Sequence, residues 1–553
     1  SDNPAIVFWA EDKQKTSLSH LELYKQVARL SQWLKQNGVK KGDRVAGFLP
    51  NMPETVISML ATASLGAVWT SCSPDFEVQG VLDRFGQVEP KVFICVDGYY
   101  YNGKEFDCFE KNKKIVSQLP SVERILVVRF VNEDFDFLDS NQSFLFDEIV
   151  NGSTNPGLEF ESVAFNDPLY ILFSSGTTGI PKCIVHGVGG TLIQHKKEHM
   201  LHCDIKKGDR VFFFSTCGWM MWNWLVSSLA SGATLMLYDG SPFIKNNDNI
   251  LFDYAEQEKL NFMGVSAKYL DTARKKALSP RKTHNLDSIK MILSTGSALS
   301  VDCYDYVYEK VKPQVCLSSI SGGTDIVSCF VLGSPLLPVY RGELQTRGLG
   351  MSVEVWDENA KPVANEKGEL VCIKTFPSKP TGFWNDEGDR KYRQSYFERF
   401  PNVWCHGDYV SINQHGGMVF HGRSDTTLNR GGVRIGTAEI YRQVEKLKEV
   451  LESVVVEQNY KDEARIILFV KLIDGLLIDD DLKQRIIIQI RSNTSPRHVP
   501  DVIVQVSDIP RTKSGKIVEL AVQKAIHSLP IENKSAIDNP EVLNEYYNLK
   551  ELQ

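Results

Sequence analysis

The sequence predicts an α/β protein: a large N-terminal domain, residues 1–424, of mostly parallel sheets flanked by helices, and a small α+β domain, residues 425–553. Three observations carry this. A chain of 553 residues exceeds what one hydrophobic core ordinarily organises. Through most of it, apolar runs alternate with segments of helical periodicity, the mark of strand–helix–strand units whose strands lie parallel. After Asp425 the texture changes, and helices rich in Glu and Lys combine with short strands such as "ARIILFVKLI" and "DVIVQV".

In chain order, Ser17 or Ser19 is placed to cap a helix whose Leu23, Val27, Leu30 and Leu34 share one face, and Gly38 stands where that helix should end. "RVAGFLP" reads as a buried strand, and "ETVISMLATASLGAVWTS" as a helix from Glu54 running into a second strand at Ala67. The pattern recurs in "RVFFFST" (strand), "NWLVSSLASG" (helix), "ATLMLYDG" (strand) and "SIKMILSTGSALS", a strand that ends in a glycine loop. Ligands of such sheets gather at the carboxyl ends of the strands. Near the C-terminus, residues 529–541, "LPIENKSAIDNPE", are polar and weakly patterned, and read as a surface strap.

Apolar residues make up 42% of the chain and charged residues 24%, with a net charge of -7. Lys and Arg are scattered, with no stripe suited to a nucleic-acid backbone. Eleven cysteines form an odd set without a CxxC pair, which fits neither a disulfide framework nor a zinc site and implies buried thiols in a reducing compartment. His406, His415 and His421 are spaced as ordinary histidines, so no zinc is expected. No apolar run reaches the length of a membrane span, the start lacks a basic-then-apolar leader, and "KELQ" is no organelle address, so a cytosolic (cytoplasmic) location is expected. The first residue is Ser, which reads as a processed, trimmed or partial chain.

The stretch "LYILFSSGTTGIPKCIVHG" runs from an apolar strand into a loop of two glycines and four hydroxyls, followed by Pro181 and Lys182. Glycine permits close backbone approach, and unhindered N–H groups can wrap phosphate oxygens. Lys182 adds a mobile positive charge. The loop does not fit GxxxxGK[ST], because Lys182 follows Pro181 and precedes Cys183. A flexible connector is the alternative, but the full string at a strand end favours an anion-binding loop.

That string resembles the phosphate-binding signature of the adenylate-forming superfamily, which includes acyl-coenzyme A synthetases, luciferases and peptide-synthetase adenylation domains. The resemblance covers nearly the whole chain. "STGSALS" is similar to the family's adenine-side loop, "SISGGTDI" to its acyl and nucleotide motif, and "HGDYV" to its ribose motif. "GRSDTTLNRGGVRIGTAEI" resembles the interdomain hinge, and "PRTKSGKIVE" the C-terminal lysine loop. "TFPSKPTGFWND", "SPRHVP" and the tail "NPEVLNEYYNLKELQ" resemble the branch of the family that activates acetoacetate.

The resemblance implies a ligase for which ATP, Mg2+ and coenzyme A are required: an acid attacks the α-phosphate of ATP, pyrophosphate leaves, and the thiol of coenzyme A displaces AMP. Ser174, Ser175, Gly176, Thr177, Thr178, Gly179 and Lys182 would hold the β- and γ-phosphates, with Gly296, Ser297, Ala298, Ser319, Gly322 and Gly323 on the nucleotide side. Lys516 would meet the α-phosphate and the acid oxygen; a solvated surface lysine is the alternative. Asp408, with Arg423, would take the ribose hydroxyls, unless the two form a plain surface ion pair. Arg434 would approach the phosphate. Thr324 and Asp325 would act at the reacting centre, Asp325 serving magnesium where most relatives carry Glu.

Gly322 stands where acetate-using relatives have tryptophan, which implies room for a four-carbon acid such as acetoacetate and equally admits propionate or butyrate. A β-keto oxygen buried there needs a donor. Trp219, Trp222 and Asn223 are candidates for the pocket wall, although such a cluster also marks plain core. Asp425 matches the hinge about which the small domain rotates between half-reactions, so that domain is expected to be mobile. Gly431 and Arg491 would contact coenzyme A, the alternative for Arg491 being a helix-surface arginine. Relatives usually carry a longer N-terminal segment.

Overall fold

In a computed structural model, which describes residues 4–132, 142–174, 180–430, 433–460, 463–494, 496–513, 515–531 and 534–553, the first helix forms over His20–Gln36. Ser19 is its N-cap, and with Glu22 it closes a capping box that satisfies two helix-end N–H groups, an arrangement worth about 1 kcal/mol. Leu23, Val27, Leu30 and Leu34 are all buried. Gly38 follows the helix at φ +82°, where a side chain would be strained.

Two large sheets share the apolar runs. One has eight strands in the order Gly382–Phe383, Cys183–Gly187, Pro168–Phe173, Val68–Cys72, Arg44–Phe48, Val92–Val96, Arg124–Val128, Ser143–Leu145. The pairings from Pro168–Phe173 to Ser143–Leu145 are parallel, and the other two antiparallel. The second sheet has seven strands, in the order Cys316–Ser319, Met291–Thr295, Phe262–Ser266, Arg210–Phe213, Thr234–Asp239, Pro4–Ala10, Gln14–Ser19. Of these only Gln14–Ser19 is antiparallel to its neighbour. Central strands such as Val68–Cys72 and Val92–Val96 are buried at every position, as parallel strands covered on both faces must be.

An antiparallel sheet of Val353–Trp356, Lys367–Cys372, Trp404–Ile412 and Met418–Arg423 follows. The 3-10 turn Ser424–Thr426, which contains Asp425, leads out of its last strand. Beyond it, Val450–Tyr460 and Glu463–Leu472 pair antiparallel, and Val502–Gln505 adds in parallel. These strands, with the helices Thr437–Val444, Asp480–Asn493 and Glu519–Ile526, build their own apolar clusters around Phe469 and Ile486.

Leu529, Pro530, Lys534, Asp538 and Glu541 are exposed, as expected of a surface strap over 529–541, but the strap is pinned between them. Ile531, Ala536 and Ile537 are buried, and Ser535 donates to Asp83 at 2.9 Å. The apolar residues spaced through this polar tract are what anchor it. The cysteines of the chain are all free, and all but half-buried Cys316 are buried. Among the described residues, no helix is long and apolar enough to cross a membrane, and no group of three or more His, Cys, Asp or Glu side chains is placed to hold a metal ion by itself.

Glu439 joins the C-terminal part to the antiparallel sheet. Its carboxylate accepts from Lys367 Nζ at 2.5 Å and lies 3.3 Å from His498 Nε2. Burial alone would raise its pKa, but hydrogen bonds from His498 and Lys367 and the nearby charges outweigh this and lower it from 4.5 to about 2. A carboxyl depressed in the folded state stabilises above its unfolded pKa and loses that contribution as pH falls towards the folded value. The expected outcome is that wild-type resistance to urea drops between pH 4.5 and 2 by about 3 kcal/mol more than that of Glu439→Gln. Fluorescence-detected urea titrations across that range check it.

Candidate active site

Because parallel strands end on the same edge, the carboxyl ends of both large sheets converge. There they line a cavity of about 1130 Å3, counting the part open to solvent. Ser71 and Cys72, Phe173, Phe213, Ser266, and Thr295 with Gly296 come from five strand ends, and Gly322, Gly323 and Thr324 from the hairpin Ser321–Gly323/Ser328–Leu332. The C-terminal part closes one side with Thr512, Lys513, Lys516 and Ala536.

The phosphate-loop string begins at Ser174, directly after the strand Pro168–Phe173. Its base is closed on itself: Ser174 N–H donates to Lys182 O and Lys182 N–H donates to Ser174 Oγ, both at 3.1 Å. Ser175, Gly176, Thr177, Thr178 and Gly179 lie outside the described residues. Lys182 Nζ stands 5.4 Å above the ring of Tyr396 and 5.7 Å from that of Phe383.

Gly322 owes its identity to backbone contact. A Cβ there would fall 2.0 Å from Ser328 O and 2.6 Å from Cys329 Cα, across the hairpin. The expected open space therefore does not begin at the Cβ position, because the facing strand already fills it. Asp325 is held by a hydrogen bond and by nearby positive charge. The Tyr396 hydroxyl donates to Oδ1, and Tyr396 itself is stacked on Trp404 at 3.9 Å. Burial would raise the Asp325 pKa, yet His406, Lys182, the Tyr396 hydrogen bond and Arg423 together lower it, keeping the group ionised.

Sequence reasoning read His406 as an ordinary histidine and did not reach Tyr396. His406 stands two residues before Asp408 on the strand Trp404–Ile412, and Gly407 between them turns at φ +81° in a bulge of the strand that brings the two side chains close. Its Nε2 is 3.8 Å from Asp408 Oδ2, and Trp404 Nε1 donates to its Nδ1 at 3.5 Å. That spacing was the available signal; Tyr396, on the helix Arg390–Phe397, left none. His415 and His421 pair elsewhere, with Glu343 and with Ser411.

Asp408 is buried and accepts from Arg423 Nη1 at 2.9 Å, across a register in which the two residues face each other. Burial works against the Arg423 charge, but Asp408, Asp425 and Asp325 outweigh it and raise its pKa. Lys516 follows Gly515, which turns at φ +78°, and the turn is fastened by Lys516 N–H to Thr512 Oγ1 at 3.1 Å and Thr512 N–H to Lys516 O at 2.8 Å. Solvent in the cavity reaches Lys516, while the enclosing walls and then Arg423 draw its pKa below 10.5 against the pull of Asp408 and Asp325. Lys513 Nζ docks the same turn by donating to Asp75 O at 2.8 Å.

The remaining candidates separate by position. Gly296 lines the cavity at φ +95°, with Ser297 exposed and Ala298 half-buried after it, and Ser319 ends the strand Cys316–Ser319. Trp219 lines the cavity, whereas Trp222 is fully buried and donates to Asn51 Oδ1 at 3.0 Å, and Asn223 is fully buried as well; these two belong to the core. Arg491 is exposed in the last turn of its helix and does not line the cavity. Gly431 lies outside the described residues, as does the side chain of Arg434, whose backbone is in the strand Val433–Ile435.

Residues 1–376 match the family model described as "AMP-binding enzyme". The chain belongs to the AMP-binding enzyme family. This member is 55% identical over 553 residues to an acetoacetyl-coenzyme A synthetase of Rhizobium meliloti (strain 1021), a match covering 99% of this chain and 84% of that one. It is 48% identical over 561 residues to acetoacetyl-CoA synthetase of Mus musculus, covering 100% of this chain and 83% of the relative. Among solved structures, an acetoacetyl-CoA synthetase from Streptomyces lividans superposes with a TM-score of 0.93 at 40% identity, covering 99% of this chain and 83% of that chain. As an AMP-binding enzyme, the chain has a fold that agrees with the predicted class, parallel sheets flanked by helices.

Proposed function

We propose that this protein ligates acetoacetate to coenzyme A through an acyl-adenylate, releasing AMP and pyrophosphate. The observation that carries the reading is the convergence of Lys516, Thr324, Gly322 and Trp219 on one cavity, in a chain so close to acetoacetyl-CoA synthetases along its length. A carboxylate is a weak nucleophile and the phosphates carry like charge, so cations and N–H donors positioned in advance are the main catalytic resource. In our reading Ser174 to Gly179 and Lys182 hold the β- and γ-phosphates, Lys516 meets the charge developing at the α-phosphate, and Asp408 with Arg423 faces the ribose. Gly296, Ser297, Ala298, Ser319 and Gly323 complete the nucleotide side. We place the domain boundary at Asp425, with the hinge there, and keep Gly431, Arg434 and Arg491 as contacts for phosphate and coenzyme A.

Asp325 fits a hard cation: it is ionised, and Oδ2 has no hydrogen-bond partner among the described residues. Asp325, beside Thr324, would hold Mg2+ through that oxygen or through water. Bound with ATP, the ion would neutralise phosphate charge.

We take Trp219 as the donor to the keto oxygen. It lines the cavity and its indole N–H has no partner among the described residues, whereas the cavity hydroxyls of Ser71, Ser215 and Thr295 donate to Cys217 O, Thr216 O and Ile320 O; the hydroxyls of Ser266 and Thr324 are the alternatives. Pyrophosphate release across a panel of acetoacetate, butyrate, propionate and acetate tests the function, and equal rates with acetoacetate and butyrate would refute the substrate. Trp219→Phe keeps the ring and removes the donor; it is expected to lower kcat/KM for acetoacetate about tenfold and leave butyrate unchanged. Asp425→Pro, which locks φ, is expected to slow thioester formation more than adenylate formation, as measured by following the half-reactions separately.

A further inference from the structure

A carboxylate behind the cavity takes no part in the chemistry above. Glu198 is fully buried in the π-helical turn Glu198–His202. Its Oε1 accepts from Ser328 Oγ at 2.5 Å, from Gln194 Nε2 at 3.0 Å and from Cys329 N–H at 3.4 Å, and its Oε2 accepts from Trp224 Nε1 at 2.9 Å. Lys197 Nζ lies 3.8 Å from Oε1 and itself donates to Leu349 O at 2.8 Å.

These donors belong to two different walls of the cavity. Ser328 and Cys329 open the strand Ser328–Leu332, whose backbone sits against Gly322. Trp224 is on the helix Met220–Ser227, whose first turn supplies Met220 and Met221 to the lining, just after Trp219. A buried carboxylate holds its donors more strongly than a neutral acceptor would, and each donor left unpaired is costly. Moving either wall therefore breaks a charge-assisted hydrogen bond at Glu198. The Ser328 hydroxyl is also fully engaged, since it donates to Glu198 and accepts from Gln194 Nε2 at 2.7 Å.

The structure assigns Glu198 as a positioning residue that ties the two walls of the acyl pocket together and so sets which acid fits between them. This rests on the proposal that the cavity takes the acid. Ser328→Ala and Trp224→Phe each remove one donor, one from each wall, and Glu198→Gln removes the charge and turns its amide N–H groups towards the donors of one wall. For the full-length enzyme, each is expected to raise KM for acetoacetate about tenfold and to narrow the acetoacetate-over-butyrate preference, with KM for ATP within about twofold of wild type. If Glu198→Gln does not fold, the two single-donor variants decide. Acid KM and preference unmoved in either of them, or acid and ATP KM rising together, would overturn the assignment. A wild-type enzyme that prefers another acid would sink the substrate reading instead, and KM for that acid would still test Glu198.

Discussion

Replacing Lys516 with alanine is expected to slow acid-dependent pyrophosphate release by about 10² to 10³, the usual cost of one preorganised electrostatic contact to a developing charge. Conversion of a supplied acyl-adenylate to the thioester should survive, since in our reading the lysine serves the first half-reaction alone. Equal loss in both half-reactions would contradict the assignment. The structure adds a pH dependence. Enclosure by the cavity walls, followed by Arg423, draws the Lys516 pKa below 10.5, so the protonated form is lost earlier as pH rises than for a free lysine. The alkaline limb of kcat/KM for adenylate formation should fall below that value, and Lys516→Arg should flatten it, because a guanidinium does not deprotonate in this range.

Gly322→Ala is expected to be nearly as damaging, for a reason unrelated to charge. Its Cβ would meet Ser328 O at 2.0 Å and Cys329 Cα at 2.6 Å, and both are backbone atoms that no rotamer change can move aside. The hairpin must part, and with it the wall that Glu198 holds through Ser328. The expected result is a loss of about 10² in kcat/KM for the acid, with overpacking lowering stability by about 1–3 kcal/mol. Steady-state kinetics with thermal unfolding check it, and a fully active Gly322→Ala enzyme would show that the hairpin yields at no cost. Gly322→Trp should fail in the same way rather than convert the enzyme cleanly to acetate, because the facing strand stands where the indole would begin.

Much of the candidate site was legible because its signals are local. A strand that runs into "SSGTTG", a glycine before Lys516 and a carboxylate on the strand with "HGDYV" each declare a turn or a face over a few residues. What escaped is set by residues far apart in the chain. Tyr396 reaches Asp325 across 71 positions, and nothing near either residue announces the contact. His406 was set aside as an ordinary histidine, since its partners became visible only when the strand brought it beside Asp408. Trp219 and Trp222 could not be told apart by composition. One lines the cavity and the other is bonded to Asn51, 171 residues earlier.

From the sequence by itself came the α/β architecture, a helix cap at Ser17 or Ser19, the order of the motifs and the family they resemble, because hydrophobic period, capping and loop chemistry act between near neighbours. Only the tertiary structure decided that Gly322 is required by the facing strand, that Ile531, Ala536 and Ile537 pin the polar tract around them, and that Glu198 joins two walls. Those outcomes depend on close packing and on the pairing of buried polar groups, and which atoms meet is settled only once strands hundreds of residues apart are laid side by side.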